Sequence, residues 1–419
     1  TTTTPLERLE NLALDVSMLA LSAGAALNLA TAQAGLLGAL LVVLWRVARR
    51  DPHLQRAVED LGLVLPASLF FVLACVVSSV VTQAPFPGVF EATRWRVMLA
   101  VPVGALVLSM RGEKLARHCA AAFAGGCAVH AMVGLVQVFT TLTPMADLLR
   151  IPVDKRHVEA PGRPDLRSAV GLFYNRVRLS HVLAGGVAVA WGLALSARRG
   201  RLVWGAVSLV TLAGLVATFG RAALMALLVT AGIGAALLVL GSDVARRRKR
   251  ILVVSAALLA AVGLVLLIAP ARERLLSAVD LSRNADRLFL WGRGAEIAMD
   301  HAPYGAGMGG YSVVRDAYYD RVDGSIQSRA MSHNQLLSLL AETGVLGLVA
   351  WFWMWWELYK RAQESRHPLA LTGAFAAATF HAATLAHDPL YQSEVALTWG
   401  LCASWMVALP SDLDDENAV

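Results

Sequence analysis

"RAALMALLVTAGIGAALLVLGSDVARRRKR", Arg221 to Arg250, sets an apolar run between a lone arginine and a cluster of five basic residues. At about 1.5 Å per residue, a helical run of roughly twenty residues crosses the ~30 Å hydrocarbon core of a bilayer. Such runs recur along all 419 residues, of which 57% are hydrophobic and only 16% charged, with a mean hydropathy of +0.58. A soluble chain of this length carries more charge on its surface. The runs are continuous rather than alternating, which excludes a membrane β-barrel. The fold class that follows is an all-α polytopic membrane protein, with residues 1–419 as a single integral membrane domain.

Twelve spans are predicted, at about 11–27, 29–46, 61–81, 95–110, 119–140, 173–196, 202–219, 221–241, 251–269, 335–358, 369–386 and 391–409. Their orientation follows from lysine and arginine in the short loops. Arg46, Arg49, Arg50 and Arg56 follow the second span, and Arg111, Lys114 and Arg117 the fourth. Arg198, Arg199 and Arg201 follow the sixth, the 245–250 cluster the eighth, and Lys360, Arg361 and Arg366 the tenth. Every second loop is basic, so both termini are expected to be cytoplasmic. Two long outer loops result, 141–172 and 270–334; the second carries amphipathic helical pieces and a glycine-rich turn, and its aliphatic and aromatic content predicts order.

The net charge of +7 is absorbed by this loop pattern, and no nucleic-acid partner is expected. Cys75, Cys119, Cys127 and Cys402 lie in apolar runs without metal-type spacing and read as small packing residues. The start, "TTTTPLERLENLAL", lacks the pattern of a cleaved leader. The first span is therefore expected to act as its own insertion signal, and the absence of an initial Met to reflect processing or trimming. The acidic end "SDLDDENAV" reads as a cytoplasmic tail.

Chemistry concentrates where the outer loops meet the spans. In "SHNQLLSLLAETGVLG", Ser332 to Gly347, His333 stands where the long loop re-enters the membrane. Ser332 is placed to cap the following helix and Asn334 to bond nearby backbone. Glu342 falls within the apolar stretch, where a carboxylate faces a partner or a cavity, or serves as a structural hydrogen-bonding residue. Gly344 and Gly347 read as helix-packing positions. Arg221 stands on the side that the loop rule keeps poor in cations; it either snorkels to lipid headgroups or serves an anion. In "NADRLFLWGRGAEIAMDHAPYGAGMGGY", Arg287 and Trp291 share a helical face, with Arg283 one turn earlier. In "FYNRVRLSHVLAGG", Asn175, Arg176, Arg178 and His181 lie within two turns, with Arg178 and His181 on one face. Arginines thus collect at one rim, a trap suited to a diphosphate. No metal-ligand spacing accompanies them: Asp388, in "AHDPLYQSE", is the best isolated candidate, and an aspartate before proline reads first as a turn residue.

The string His333-Asn334, nine residues, Gly344, two residues, Gly347 resembles the signature of bacterial O-antigen ligases. "TFGRAALMALL" resembles that family's arginine segment at the outer end of a span, and "RLFLWGRGAEIAMDHAPYGAGMGGY" its Arg-x-x-x-Trp element and Pro-x-Gly-x-Gly turn. The elements occur in family order over roughly residues 170 to 360. The resemblance implies a GT-C-like glycosyltransferase of the bacterial inner membrane, with its active site on the periplasmic side. It further implies transfer of O-antigen polysaccharide from undecaprenyl diphosphate to a sugar hydroxyl of lipid A–core, without metal, nucleotide or other cofactor. On that footing Arg221 and Arg287, with Arg176 or Arg178, bind the diphosphate, and His333 deprotonates the acceptor. Asn334, Asn175, Arg283, Trp291 and Glu342 support them.

Related activities compete with this reading. An O-antigen polymerase carries Arg-x10-Gly motifs, a spacing that Arg283 and Gly294 satisfy, whereas Val187 and Val189 stand eleven positions after Arg176 and Arg178. A protein O-oligosaccharyltransferase would take a protein serine as acceptor. A lipid-linked glycan transporter would need paired ionisable residues near the midplane, and Glu357, His130 and His381 form no evident pathway.

Overall fold

The computed structural model describes residues 4–82, 98–140, 159–160, 163–173, 175–196, 200–240, 272–273, 285–319, 331–365 and 367–407. The first helix, α1 (Pro5–Leu27), begins ahead of its predicted span. Thr4 and Glu7 form a capping box: the Glu7 amide donates to the Thr4 hydroxyl at 3.2 Å and the Thr4 amide to the Glu7 carboxylate at 2.8 Å. Asn28 ends α1 and starts α2 (Leu29–Ala48) by accepting the amides of Ala30 and Thr31. The two helices pack backbone to backbone, and a Cβ at Gly35 would overlap the main chain of Leu21.

The loop expected after α2 is itself partly a helix, α3 (Pro52–Leu61). Its period explains why: Leu54, Ala57 and Leu61 are buried while the charged residues between them face out. It leads into α4 (Val64–Val81). Predicted spans four and five form one element, α5 (Ala100–Gln137), broken at Gly112, whose φ of 74° turns the chain without a loop. The expected outer loop 141–172 contains a small antiparallel hairpin of β1 (Glu159–Ala160) and β2 (Arg163–Arg167), so the described chain is not wholly α. Then follow α6 (Arg176–Ser196), α7 (Arg201–Ala217) and α8 (Arg221–Leu240).

Beyond them come α9 (Ala285–Asp300) and α10 (Gly310–Tyr319), the amphipathic pieces of the second outer loop. The chain closes with α11 (Gln335–Ser365), α12 (Pro368–Thr384), a 3-10 turn at Pro389–Tyr391 and α13 (Ser393–Trp405). Among the described residues, six helices are long and apolar enough to cross a membrane: α1, α2, α4, α5, α6 and α11; α7 and residues Arg221–Gly234 of α8 form shorter apolar stretches. The ninth predicted span, 251–269, lies outside the described residues. Aromatic packing holds the middle: Trp351 stacks on Trp399 with centroids 5.1 Å apart, and Phe71 meets Trp351 edge-on.

One end of the bundle carries a set of ion pairs. Glu10 on α1 takes Arg46 and Arg49 from α2, Asp15 takes Arg111, and His367 lies against Glu113. The helical stretch from there to Gln137 is roughly 37 Å long. At its far end Gln137 donates to the carbonyl of Gly171, and the amide of Ala169 donates to the carbonyl of Ala217.

A main-chain splice ties the α9–α10 layer to the bundle. α11 is broken at Gly344, with φ 65° and ψ −167°. The turn after α9 fills the break: the Val345 amide donates to Pro303, Ala306 to Ala341 and Gly307 to Glu342. A Cβ at Gly344 would overlap the Pro303 carbonyl. Ser78 of α4 sets its hydroxyl 2.6 Å from the carbonyl oxygens of both Tyr304 and Glu342. Gly344 is thus the residue that lets two backbones pair, a more specific role than the helix packing expected of it.

Candidate functional site

The first turn of α11 is fixed by Asn334, whose side-chain oxygen accepts the amides of Leu336 and Leu337 at 3.0 and 3.2 Å. Asn334, not Ser332, is the capping residue. Ser332 instead accepts the Asn334 amide and lies 2.7 Å from the Ser338 hydroxyl, which donates to Asp388 Oδ1 at 2.7 Å. Between them His333 takes the left-handed conformation, φ 52°, unusual for a residue with a side chain. The Trp291 indole donates to the His333 carbonyl at 3.4 Å. His333 Nδ1 lies 3.7 Å from Asp388 Oδ2, and the ring sits 5.2 Å, centroid to centroid, from that of His387.

A second set of residues meets beside this one. Asn175 caps α6 by accepting the amides of Val177 and Arg178. Arg176, at the first position of α6, donates to the Phe219 carbonyl at 3.2 Å. Phe219 is itself left-handed, φ 53°, and a Cβ at Gly220 would press on Ser180. The turn thus delivers Arg221 to the start of α8. Arg176, Arg221, Arg287 of α9, His181 and His387 line one cavity of about 420 Å³, its open mouth included. Three guanidinium groups and the positive end of α8 favour an anion here, and the planar fork of arginine suits phosphate oxygens.

The electrostatics keep His333 in its neutral, proton-accepting form. Burial, and then the charge of Arg287, push its pKa below the usual histidine value, so the ring is neutral at pH 7. Burial lifts Asp388 to about 6, against hydrogen bonds from Ser338 and from the His333 backbone that hold it down. His387 is driven well below its ordinary value by burial and then by His181, His333, Arg287 and Arg176. Burial also lowers Arg287.

The structure brings together His333, Arg221, Arg287 and Arg176, and gives Asn334, Asn175 and Trp291 supporting contacts. It does not place Arg178 on the cavity lining. Arg178 instead pairs at 2.7 Å with Glu394, which is 6% exposed. A buried carboxylate from α13, more than 200 positions away, claims the guanidinium that helical spacing had aimed at the rim. Glu342 is structural: it accepts the Tyr311 amide and the Tyr391 hydroxyl, tying α10 and the 389–391 turn to α11. Arg283 lies outside the described residues. Among the described residues, no three His, Cys, Asp or Glu side chains gather as a metal site. Sequence reasoning missed His387, and read Asp388 as a turn residue or lone metal candidate. The only local signal was the adjacency of a histidine and an aspartate between two apolar runs.

Residues 206–352 match the family model for O-antigen ligase. The matched segment contains Arg221, Arg287, Trp291, His333 and the Gly344 splice, and its superfamily comprises glycosyltransferase-like enzymes acting in membranes. No curated protein matches the chain.

Proposed function

We propose, from the match of residues 206–352 to the O-antigen ligase family model, that the protein transfers a polysaccharide from undecaprenyl diphosphate to a sugar hydroxyl of lipid A–core. The observation that carries this is the convergence of Arg176, Arg221 and Arg287, from three separate elements, on one cavity beside His333. A sugar diphosphate needs charge neutralised where its leaving group forms, and a base where the acceptor hydroxyl loses its proton. The arginines supply the first and His333, with Asp388 behind it, the second. Displacement at the anomeric carbon then inverts its configuration.

The alternation of basic loops supports a bacterial inner-membrane placement with both termini cytoplasmic and this site periplasmic. The polymerase reading is weakened by Gly294. A Cβ there would lie 2.8 Å from that of Ser332, so packing beneath the His333 loop accounts for this glycine without a motif.

The test is reconstitution of purified protein with lipid-linked polysaccharide and lipid A–core. A covalent product of inverted configuration, formed with lipid A–core but not with a second lipid-linked repeat or a protein serine, supports the ligase. Chain extension on the lipid-linked repeat would assign a polymerase, glycosylated protein an oligosaccharyltransferase, and movement without a product a transporter. Retained anomeric configuration would overturn direct displacement.

A further inference from the structure

His387 stands between the two halves of the site. Its ring is 5.2 Å, centroid to centroid, from His333 on one side and 5.2 Å from His181 on the other, while it also lines the arginine cavity. Three imidazoles thus run from the Asp388–His333 pair toward the place where the arginines would hold phosphate. His181 is buried, and His387 and His333 are half-buried. His387 Nδ1 and His181 Nε2 are buried and have no hydrogen-bond partner among the described residues, although most buried polar atoms in proteins have one. The charged and titratable groups facing His387 are His181 and Arg176 from α6, Arg221 from α8, Arg287 from α9, and His333. Asp388 adjoins it in sequence.

We propose that His387 carries the acceptor's proton from His333 to the leaving diphosphate. This rests on the transfer reaction proposed above. The acceptor oxygen forms its bond to the anomeric carbon as the bond from that carbon to the phosphate oxygen breaks, and the electron pair stays with the diphosphate. The hydroxyl proton passes to His333. One nitrogen of His387 takes a proton from His333 as its other nitrogen gives one to a diphosphate oxygen. Both rings end neutral, His387 as its other tautomer, and the proton ends on the leaving group. A neutral imidazole suits this because one nitrogen accepts while the other donates. The cation-rich surroundings keep His387 from holding the proton, and a phosphate with a second pKa near about 6 is a suitable terminus. His181, next along the line, positions the His387 ring.

The experiment compares wild type, His387→Gln and His387→Ala in the reconstituted assay. Glutamine keeps an amide that can hydrogen-bond but cannot relay a proton. The expected result is a fall in kcat of tenfold or more with an unchanged KM for the lipid-linked donor. The slowed rate should rise with buffer concentration, and added imidazole should restore turnover to His387→Ala. A His387→Gln protein with wild-type kcat overturns the proposal, as does a slowed enzyme indifferent to both buffer and imidazole. A raised donor KM with kcat intact would make His387 a binding contact instead. If wild type itself transfers no glycan, the ligase reading falls and the relay with it. If wild type transfers and His387→Gln matches it, only the relay falls. Should His387→Ala fail to fold, the buffer dependence of His387→Gln decides.

Discussion

Replacing Asp388 by Asn tests whether His333 works as one half of a pair. The substitution keeps an oxygen that can accept from Ser338 but removes the charge facing the imidazolium formed when His333 takes a proton. At 3.7 Å and an effective dielectric of about 20, that attraction is worth about 4 kcal/mol. The His333 side chain is 32% exposed, so solvent screens part of it. A loss of about 2–3 kcal/mol then corresponds to a turnover roughly 30- to 150-fold slower, taking about 1.4 kcal/mol per factor of ten. The donor KM should hold, because no arginine is touched.

Stability should move differently. The folded-state pKa of Asp388 is raised from 3.8 to about 6, so its contribution to stability is full below the unfolded value and is lost as pH rises through about 6. Asp388→Asn is therefore expected to melt at or above the wild-type temperature at pH 8, with the difference fading toward pH 5. Wild-type turnover should decline as pH falls, as Asp388 takes a proton through about 6 and His333 protonates below its usual range, and in the variant the His333 limb should shift to lower pH. The assay is initial-rate transfer in detergent from pH 5 to 9, with melting followed in parallel. Wild-type turnover in a well-folded Asp388→Asn protein would refute the pairing, as would a rate loss explained entirely by a lower melting temperature.

His333→Ala should abolish transfer, and Arg221→Ala should lower kcat by about 100- to 1,000-fold, each with melting unchanged; a binding assay with labelled lipid diphosphate should register only the arginine loss. Arg287→Lys should also be poor, because an ammonium cannot reproduce the planar fork, and a wild-type rate would argue against bidentate contact. Arg178→Ala should cost about 3–5 kcal/mol of stability by leaving Glu394 buried and unpaired, with donor affinity intact in the protein that folds; an altered donor KM at unchanged melting would return Arg178 to the anion site. Gly344→Ala should destabilise by about 2 kcal/mol or more, read as lost monodisperse protein on size exclusion, since it combines a left-handed backbone with a Cβ in the path of Pro303.

Much of the membrane architecture was legible because bilayer crossing imposes length and composition on contiguous residues. Arg221 stood out for a related reason, a cation on the side that the loop rule keeps poor in cations, while Arg176 and Arg287 were picked out as arginines gathered at the same rim. The backbone bonding of Asn334 was legible because it is local to four residues, although the cap itself was expected of Ser332. Asp388 and His387 were not legible, because their meaning depends on contact with His333 across more than fifty positions, and within their own loop Asp-Pro reads as a turn. Arg178 misled for the same reason, since helical spacing cannot reveal Glu394 on another helix. Gly344 looked like a packing glycine because a helix break filled by another backbone leaves no period in the sequence.

The splice at Gly344 also divides where the chain can drift from where it cannot. Its three bonds run main chain to main chain, so they do not depend on which side chains occupy Tyr304 or Ala306, and Tyr304 is 51% exposed. Gly305 and Gly344 are different, since a Cβ on either would meet the opposing backbone. A saturation library across 303–309 should therefore tolerate broad exchange at Tyr304 and collapse at Gly305. The layer bearing Arg287 and Trp291 can then acquire new outward-facing chemistry, while its depth relative to His333 stays pinned by main-chain atoms that every residue but proline supplies.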